Sequence, residues 1–455
     1  MMLHMARNQL GVCSLVTVLA GSLACGHAAA AGDQPGNAFE SIPPGEAAQI
    51  EETVSIGLTL QDKRKQNDPS QEGRLLRGVH AKSHGCVKAK FVVNDDIDET
   101  YRVGLFADPG KAHEAWIRFS NAAVLREDDL KGDGPDDRKN GSRGMAIKVM
   151  DVEGEMLDKD NGQSNQDFLM VNTPEFAFAN VRDYLRLNRI LKQSDKGHDP
   201  KPYFLPAAIP QLQQKLAALE QQLQELGAPA EGEPAEVAAA RNKLQAGIEG
   251  LRATIPALQA AVENNPLVNN LSEAEMKGTI ASATVVNKIT AQTVRNPMQV
   301  QYFGAAPFLF GEGRVMKFSA APCTAIQQAE FEEITPDNPT KNYLRDALGE
   351  TMSGTQVVCY DFKIQVRGAD SDIGELKIED ATTTWPDEEA NYVDVAKISI
   401  EVPQSPHTPE ALEQCEKLAF APWHSLAVHR PIGGINRLRR KVYSESAKHR
   451  GAAGY

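Results

Sequence analysis

Trp116-Ile117-Arg118-Phe119-Ser120 is the stretch from which the fold is read: a β-prone run with an arginine set among apolar side chains. An arginine in such a strand is costly to bury unless it meets an anion. Working outward, Phe91-Val92-Val93 and the run MAIKVMDV (residues 145–152) are further short β-prone segments separated by Asp/Gly/Asn clusters, so residues 77–171 read as strand-rich. A second strand-rich region, residues 299–401, holds VQYFG, VMKFSA, TQVVCYDFKIQV and AKISIEV. Several short alternating strands with turn signals between them predict a β-barrel or sandwich.

Between the two regions the period changes. Leu212, Leu216, Leu219, Leu223 and Leu226 recur at spacings of four and three; after the turn GAPAEGEP come Leu244, Ile248, Leu251, Ile255 and Leu258. This is the pattern of an αα-hairpin with coiled-coil periodicity, placed at residues 206–265. Two such helices can satisfy each other, so a surface insertion packed on itself is preferred to a dimerisation or docking arm.

The chain of 455 residues is 41% hydrophobic and 24% charged, ordinary for a soluble globular protein, and can bury a large core. Its net charge of -13 argues against nucleic-acid or anionic-membrane partners. Arg7, the apolar residues 10–24 and the alanines at 28–31 form the pattern of a cleavable export signal over residues 1–31. The stretch is short for a membrane span, so no stable membrane insertion is expected, and the mature chain is expected to be periplasmic or secreted. Residues 32–72 read as an N-terminal arm with one helical stretch near residues 47–61. Cys13 and Cys25 fall in the leader; Cys86, Cys323, Cys359 and Cys415 remain, and four cysteines allow three pairings. With no C-x-x-C pair, a zinc or thioredoxin-type site is not expected.

The chemistry-bearing residues lie in separate blocks. On a C-terminal helix, Arg439 and Tyr443 would stand one turn apart, with Arg450 two turns beyond on the same face. A tyrosine flanked by guanidinium groups has a stabilised phenolate, a hard anionic ligand suited to ferric iron. RGVHAK (77–82) offers Arg77 and His80, WIRFSN offers Arg118 and Ser120, and RGMAIKV (143–149) and VNTPEF (171–176) complete the set. Taken singly, each has an ordinary structural explanation, such as a basic surface helix or a core histidine.

Taken in order, these blocks resemble the haem catalase family, in a short bacterial catalase-like branch. The resemblance runs from about residue 73 to residue 450, excluding the hairpin. It implies an α+β fold: a catalase-like antiparallel β-barrel with flanking helices and the inserted hairpin, in one haem-binding domain over residues 73–450 followed by a tail at 451–455. It implies haem b as cofactor, with Tyr443 as the iron ligand and Arg439 keeping it ionised. Arg77, Arg118 and Arg450 match the arginines that hold the propionates, where a bidentate guanidinium suits a carboxylate. His80 matches the distal general acid/base, and Ser120 the serine that orients it.

Departures from the family pattern carry their own expectations. The family has two asparagines before Thr-Pro; here the first is Val171, so Asn172 is the residue expected to take over the distal amide. Ala122 and Gly141 stand where the family has a valine and an aspartate, which predicts a wider channel, unless the loop at 127–140 closes it. Nothing after Arg450 matches the further helical domain of typical catalases, so a nicotinamide site and tetramer wrapping are not implied. The resemblance makes the chain a peroxide-processing oxidoreductase, with hydrogen peroxide or organic hydroperoxides and a small-molecule reductant as partners, and leaves a homodimer open. Two other functions stand beside it: a fatty-acid hydroperoxide isomerase resembling allene oxide synthase, and a non-enzymatic haem-binding protein.

Overall fold

In the computed structural model, side chains of strand β1 (Ser83–Val93) alternate, with Val87, Ala89, Phe91 and Val93 pointing into a closed core. The same period of two runs through β2 (Ala112–Asn121), β3 (Arg143–Val149) and β4 (Gln166–Val171). After the helices come β5 (Tyr302–Phe303), β6 (Phe308–Leu309), β7 (Arg314–Pro322), β8 (Val358–Gly368) and β9 (Val393–Ile400). All pairings are antiparallel, in the order β5-β4-β3-β2-β1-β9-β8-β7-β6, and a further β5–β7 pairing closes eight of the strands into a barrel with β6 at its margin. Closure removes the exposed edges of an open sheet. The barrel is filled by phenylalanines: Phe168 lies 4.7 Å from Phe362 and 4.9 Å from Phe318, ring centre to ring centre. Truncating one of them to alanine would cost about 3–5 kcal/mol.

The structure describes residues 38–67, 75–122, 136–158, 162–194, 199–323, 339–355, 357–368, 376–386 and 390–452. The expected export signal lies outside them, as does most of the loop at 127–140. By contacts the chain divides into Met1–Pro35 and Gly36–Tyr455. Within the second unit the helix of the N-terminal arm, α1 (Glu46–Asn67), packs on α2 (Val181–Gln193) and on the C-terminal α8 (Gly434–His449). Residue 72, where the arm was expected to end, lies outside the described residues. Among the described residues no helix is long and apolar enough to cross a membrane.

The hairpin is present as α3 (Lys201–Glu225) and α4 (Ala235–Glu263), with Ile248 and Ile255 buried along the seam. It starts five residues before the expected bound at 206, because α3 continues through Pro206 and Pro210. At its base α3 also packs on α5 (Glu273–Thr290), a helix that the sequence reading did not place and that carries a Ser272/Glu275 capping box. Two shorter helices complete the fold, α6 (Tyr343–Ser353) and α7 (Pro409–Lys417). The four cysteines beyond residue 31 pair as Cys86–Cys415 and Cys323–Cys359, which resolves the three open connectivities.

Candidate active site

The outer face of the barrel is the floor of the site. Because β2 alternates, Ile117 and Phe119 fill the barrel while Arg118 and Ser120 face out. Strand register then sets two rows: Arg118 beside Ala146 beside Leu169, and Ser120 beside Gly144 beside Val171. These rows line a cavity roofed by α1, α2 and α8.

His80 stands over the second row. Its Nδ1 is 3.1 Å from Ser120 Oγ, which leaves Nε2 as the ring nitrogen for a substrate. Arg118 Nη2 donates to the His80 carbonyl at 2.9 Å. A Cβ on Gly144 would sit 2.5 Å from His80 Nδ1, so only glycine lets the imidazole lie against the strand. His80 itself has φ 57°, a left-handed conformation uncommon outside glycine and often found where function constrains the backbone. Burial, followed by the charges of Arg118, Arg439 and Arg77, pushes its pKa down to about 3, so the imidazole is neutral at physiological pH.

The arginines gather at one edge. Arg77 Nη1 pairs with Glu416 Oε2 at 2.5 Å and its Nη2 donates to the Leu418 carbonyl at 2.7 Å. Arg450, just past the end of α8, donates to the carbonyls of Glu416 and Leu418. Arg118 lies 3.7 Å from the other Glu416 oxygen. Among the described residues its Nε has no hydrogen-bond partner although it is buried. Burial and the neighbouring Arg77 charge push the Arg118 pKa down to about 9, the mark of a buried cation short of anions.

The opposite wall is helical. Arg439, Val442, Tyr443, Ala447 and Arg450 line the cavity from successive turns of α8. The Arg439 guanidinium lies over the Tyr443 ring, 5.3 Å from its centre, and is held by Asn436 at 3.2 Å. A second cavity tyrosine, Tyr184, is pushed up to about 12 by burial and by Tyr443, so it stays protonated. Helix α1 contributes Thr53, Gly57, Gln61 and Arg64. Gln61 Nε2 donates to the Leu76 carbonyl at 2.8 Å, and Arg64 donates to that of Gly78. The arm thus holds the segment that leads into His80.

Of the residues selected from sequence, His80, Ser120, Arg77, Arg118, Arg439, Tyr443 and Arg450 all line this one cavity. Asn172 does not. Its Oδ1 accepts from the Arg143 backbone N–H at 2.8 Å and its Nδ2 donates to Gln292 at 2.8 Å, so its amide pins the end of β3 to the residues that follow α5. The alternation of β4 explains this: Val171 is on the cavity face, and the next residue turns away. Ala122 and Gly141 are also absent from the cavity lining, so the wider-channel expectation has no geometric support in the cavity itself. Sequence reading missed Gly144, Glu416 and the whole α1 wall.

No family model matches the chain. Two curated relatives align with part of it. Catalase A of Staphylococcus xylosus is 31% identical over 143 residues, 30% of this chain and 25% of that protein. A catalase-like protein of Staphylococcus aureus is 31% identical over 120 residues, 26% of this chain and 22% of that protein. The chain spans about a quarter of the length of the curated relatives it matches. Among solved structures, a fungal catalase superposes with TM-score 0.50 at 17% identity, over 83% of this chain and 59% of that one. Catalase A from Saccharomyces cerevisiae superposes with TM-score 0.50 at 19% identity, over 82% and 60%. The barrel with its flanking helices is therefore a catalase-like fold.

Proposed function

We propose that this chain binds one ferric haem b in the cavity and processes peroxides there. The observation that carries the reading is the pairing across one cavity of a neutral, serine-tethered His80 with an arginine-covered Tyr443. The donor set fits the group. The walls are largely apolar, a buried arginine cluster at one edge outnumbers its carboxylate, and the Arg118 Nε lacks a partner among the described residues. Among those residues no group of three or more His, Cys, Asp or Glu is placed to hold a metal, so a lone phenol suits an iron that arrives within its own macrocycle.

In this reading Tyr443 would ligate the iron, and Arg77, Arg118 and Arg450 would hold the propionates. Bound there, haem supplies a redox centre that takes up the oxidising equivalents of a peroxide. The protein's part is proton handling and exclusion. His80 accepts the proton of an entering hydroperoxide at Nε2 and returns it to the departing oxygen, while Ser120 fixes the ring through Nδ1. Val171 offers no hydrogen bond beside them, and Leu58, Leu187 and Leu191 make the facing wall apolar, which favours organic hydroperoxides alongside hydrogen peroxide. A small reductant or a second peroxide returns the enzyme to rest. Export to the periplasm or beyond, as the N-terminal pattern implies, would let it meet external peroxides.

The test is oxygen evolution by the haem-loaded protein. Oxygen from hydrogen peroxide, or reductant-dependent peroxide consumption, supports the reading. Consumption of fatty-acid hydroperoxide without oxygen or reductant would make it an isomerase, and haem binding without any turnover would make it a binding protein.

A further inference from the structure

Helix α7 ends beside the arginine cluster, and its last turn is fastened there. Cys415 is joined to Cys86 of β1, so residues 415–418 are pinned against the strand that begins just after His80. The carbonyls of Cys415 and Leu418 accept from Arg77, and those of Glu416 and Leu418 accept from Arg450. The Glu416 side chain then spans two arginines, with Oε2 at 2.5 Å from Arg77 and Oε1 at 3.7 Å from Arg118. That is how a propionate would engage the same guanidiniums. The next carboxylate on the helix, Glu413, instead pairs with Lys417 on the exposed side. The Glu416 carboxylate thus meets Arg77 from the segment before β1 and Arg118 from β2, while Arg450 at the end of α8 bonds the Glu416 backbone carbonyl.

We propose that Glu416 is a specificity-determining residue of the cofactor site, an internal carboxylate that competes with the cofactor's anionic groups for Arg77 and Arg118 and sets how tightly they are held. The proposal rests on the haem reading above. Because the disulfide holds the segment in place, the competitor is built in at a fixed position. Removing its charge frees Arg77 and lessens the repulsion that an incoming carboxylate meets.

The experiment titrates the oxidised protein with ferric haem b, and separately with the dimethyl ester of ferric haem b, which lacks the two negative charges. Wild type, Glu416→Gln and the control Glu413→Gln are compared by absorption and by thermal unfolding. Glu416→Gln is expected to bind haem b at least about tenfold tighter, the scale of one close charge interaction in a partly screened site. The ester should bind all three equally. Unchanged or weaker haem b binding by a folded Glu416→Gln protein would overturn the proposal, as would an equal gain with the ester. If that variant does not fold, Glu416→Asp keeps the charge on a shorter arm and is expected to tighten binding in the same direction; no gain there counts against the proposal. Wild-type protein that takes up neither compound removes the haem reading itself, a result distinct from a failure of Glu416 alone.

Discussion

The two walls of the cavity are built by different rules. The strand wall takes Arg118, Ser120, Ala146 and Val171 from three adjacent strands, and their spacing is fixed by the ladder to within one residue. A slip of one residue would turn each of these side chains into the barrel. The helical wall takes Tyr443 and Arg439 from α8, Tyr184 and Leu187 from α2, and Gln61 and Arg64 from α1. These helices meet by side-chain packing and by ion pairs such as Arg437 with Glu46, Glu40 and Glu379, and nothing ties their registers as a ladder does. The ladder fixes where the strand wall's side chains stand, and the helical wall shapes the space across from them.

The largest expected effect breaks the strand wall at its functional point. His80→Ala should keep haem while peroxide turnover falls about a hundredfold or more, the usual scale for loss of a general acid/base. Activity within a few-fold of wild type would show that the ring only fills space. Acid should also act through the buried histidines. His80 is pushed down to about 3, and His84 and His429 to about 4, chiefly by burial. The unfolded chain takes up these protons near pH 6.5 and the folded one only near 3–4. Stability is therefore complete above about 6.5 and falls as pH drops toward 4, by about 1.4 kcal/mol per pH unit for each histidine. Urea unfolding at pH 5.5 and 7.5 measures this; equal midpoints would contradict it.

The same contrast governs what the sequence could reveal. Strand-wall residues sit two apart in short alternating runs, so WIRFS and RGMAIKV are legible as motifs. Tyr443 and Arg439 are legible because one helix carries both, with Arg450 as its C-terminal cap. Helix α1 was legible as a helix but not as a wall, because its cavity face mixes Thr53, Gly57, Gln61 and Arg64 with Val54, Leu58 and Leu60 instead of presenting a purely apolar stripe. Glu416 was hidden because it is brought to Arg77 across 339 residues by a tertiary contact and a disulfide that no local pattern marks. Asn172 was misplaced by a rule that the strand does obey: it follows Val171, and adjacent residues on a strand face opposite ways.

Smaller perturbations sharpen the comparison. Gly144→Ala presses a methyl group onto His80 and Ser120, and should cost about 1–3 kcal/mol of stability together with roughly tenfold in turnover. A variant as active as wild type would mean that the imidazole does not need its place against β3. Val171→Asn puts an amide on the cavity face of β4 and should raise the preference for hydrogen peroxide over a bulky alkyl hydroperoxide by a few-fold, about the worth of one hydrogen bond; initial rates with both substrates decide it. Ala122→Val should change that preference least, since Ala122 does not line the cavity, and a large shift would show that substrate reaches His80 past the end of β2.

If the two walls close on one haem through Tyr443, an absorption titration with ferric haem b separates the wild-type protein from Tyr443→Phe. Wild type is expected to bind one equivalent with a high-spin ferric spectrum, and the variant to lose or sharply shift that spectrum. An unchanged spectrum in Tyr443→Phe would rule out Tyr443 as the iron ligand.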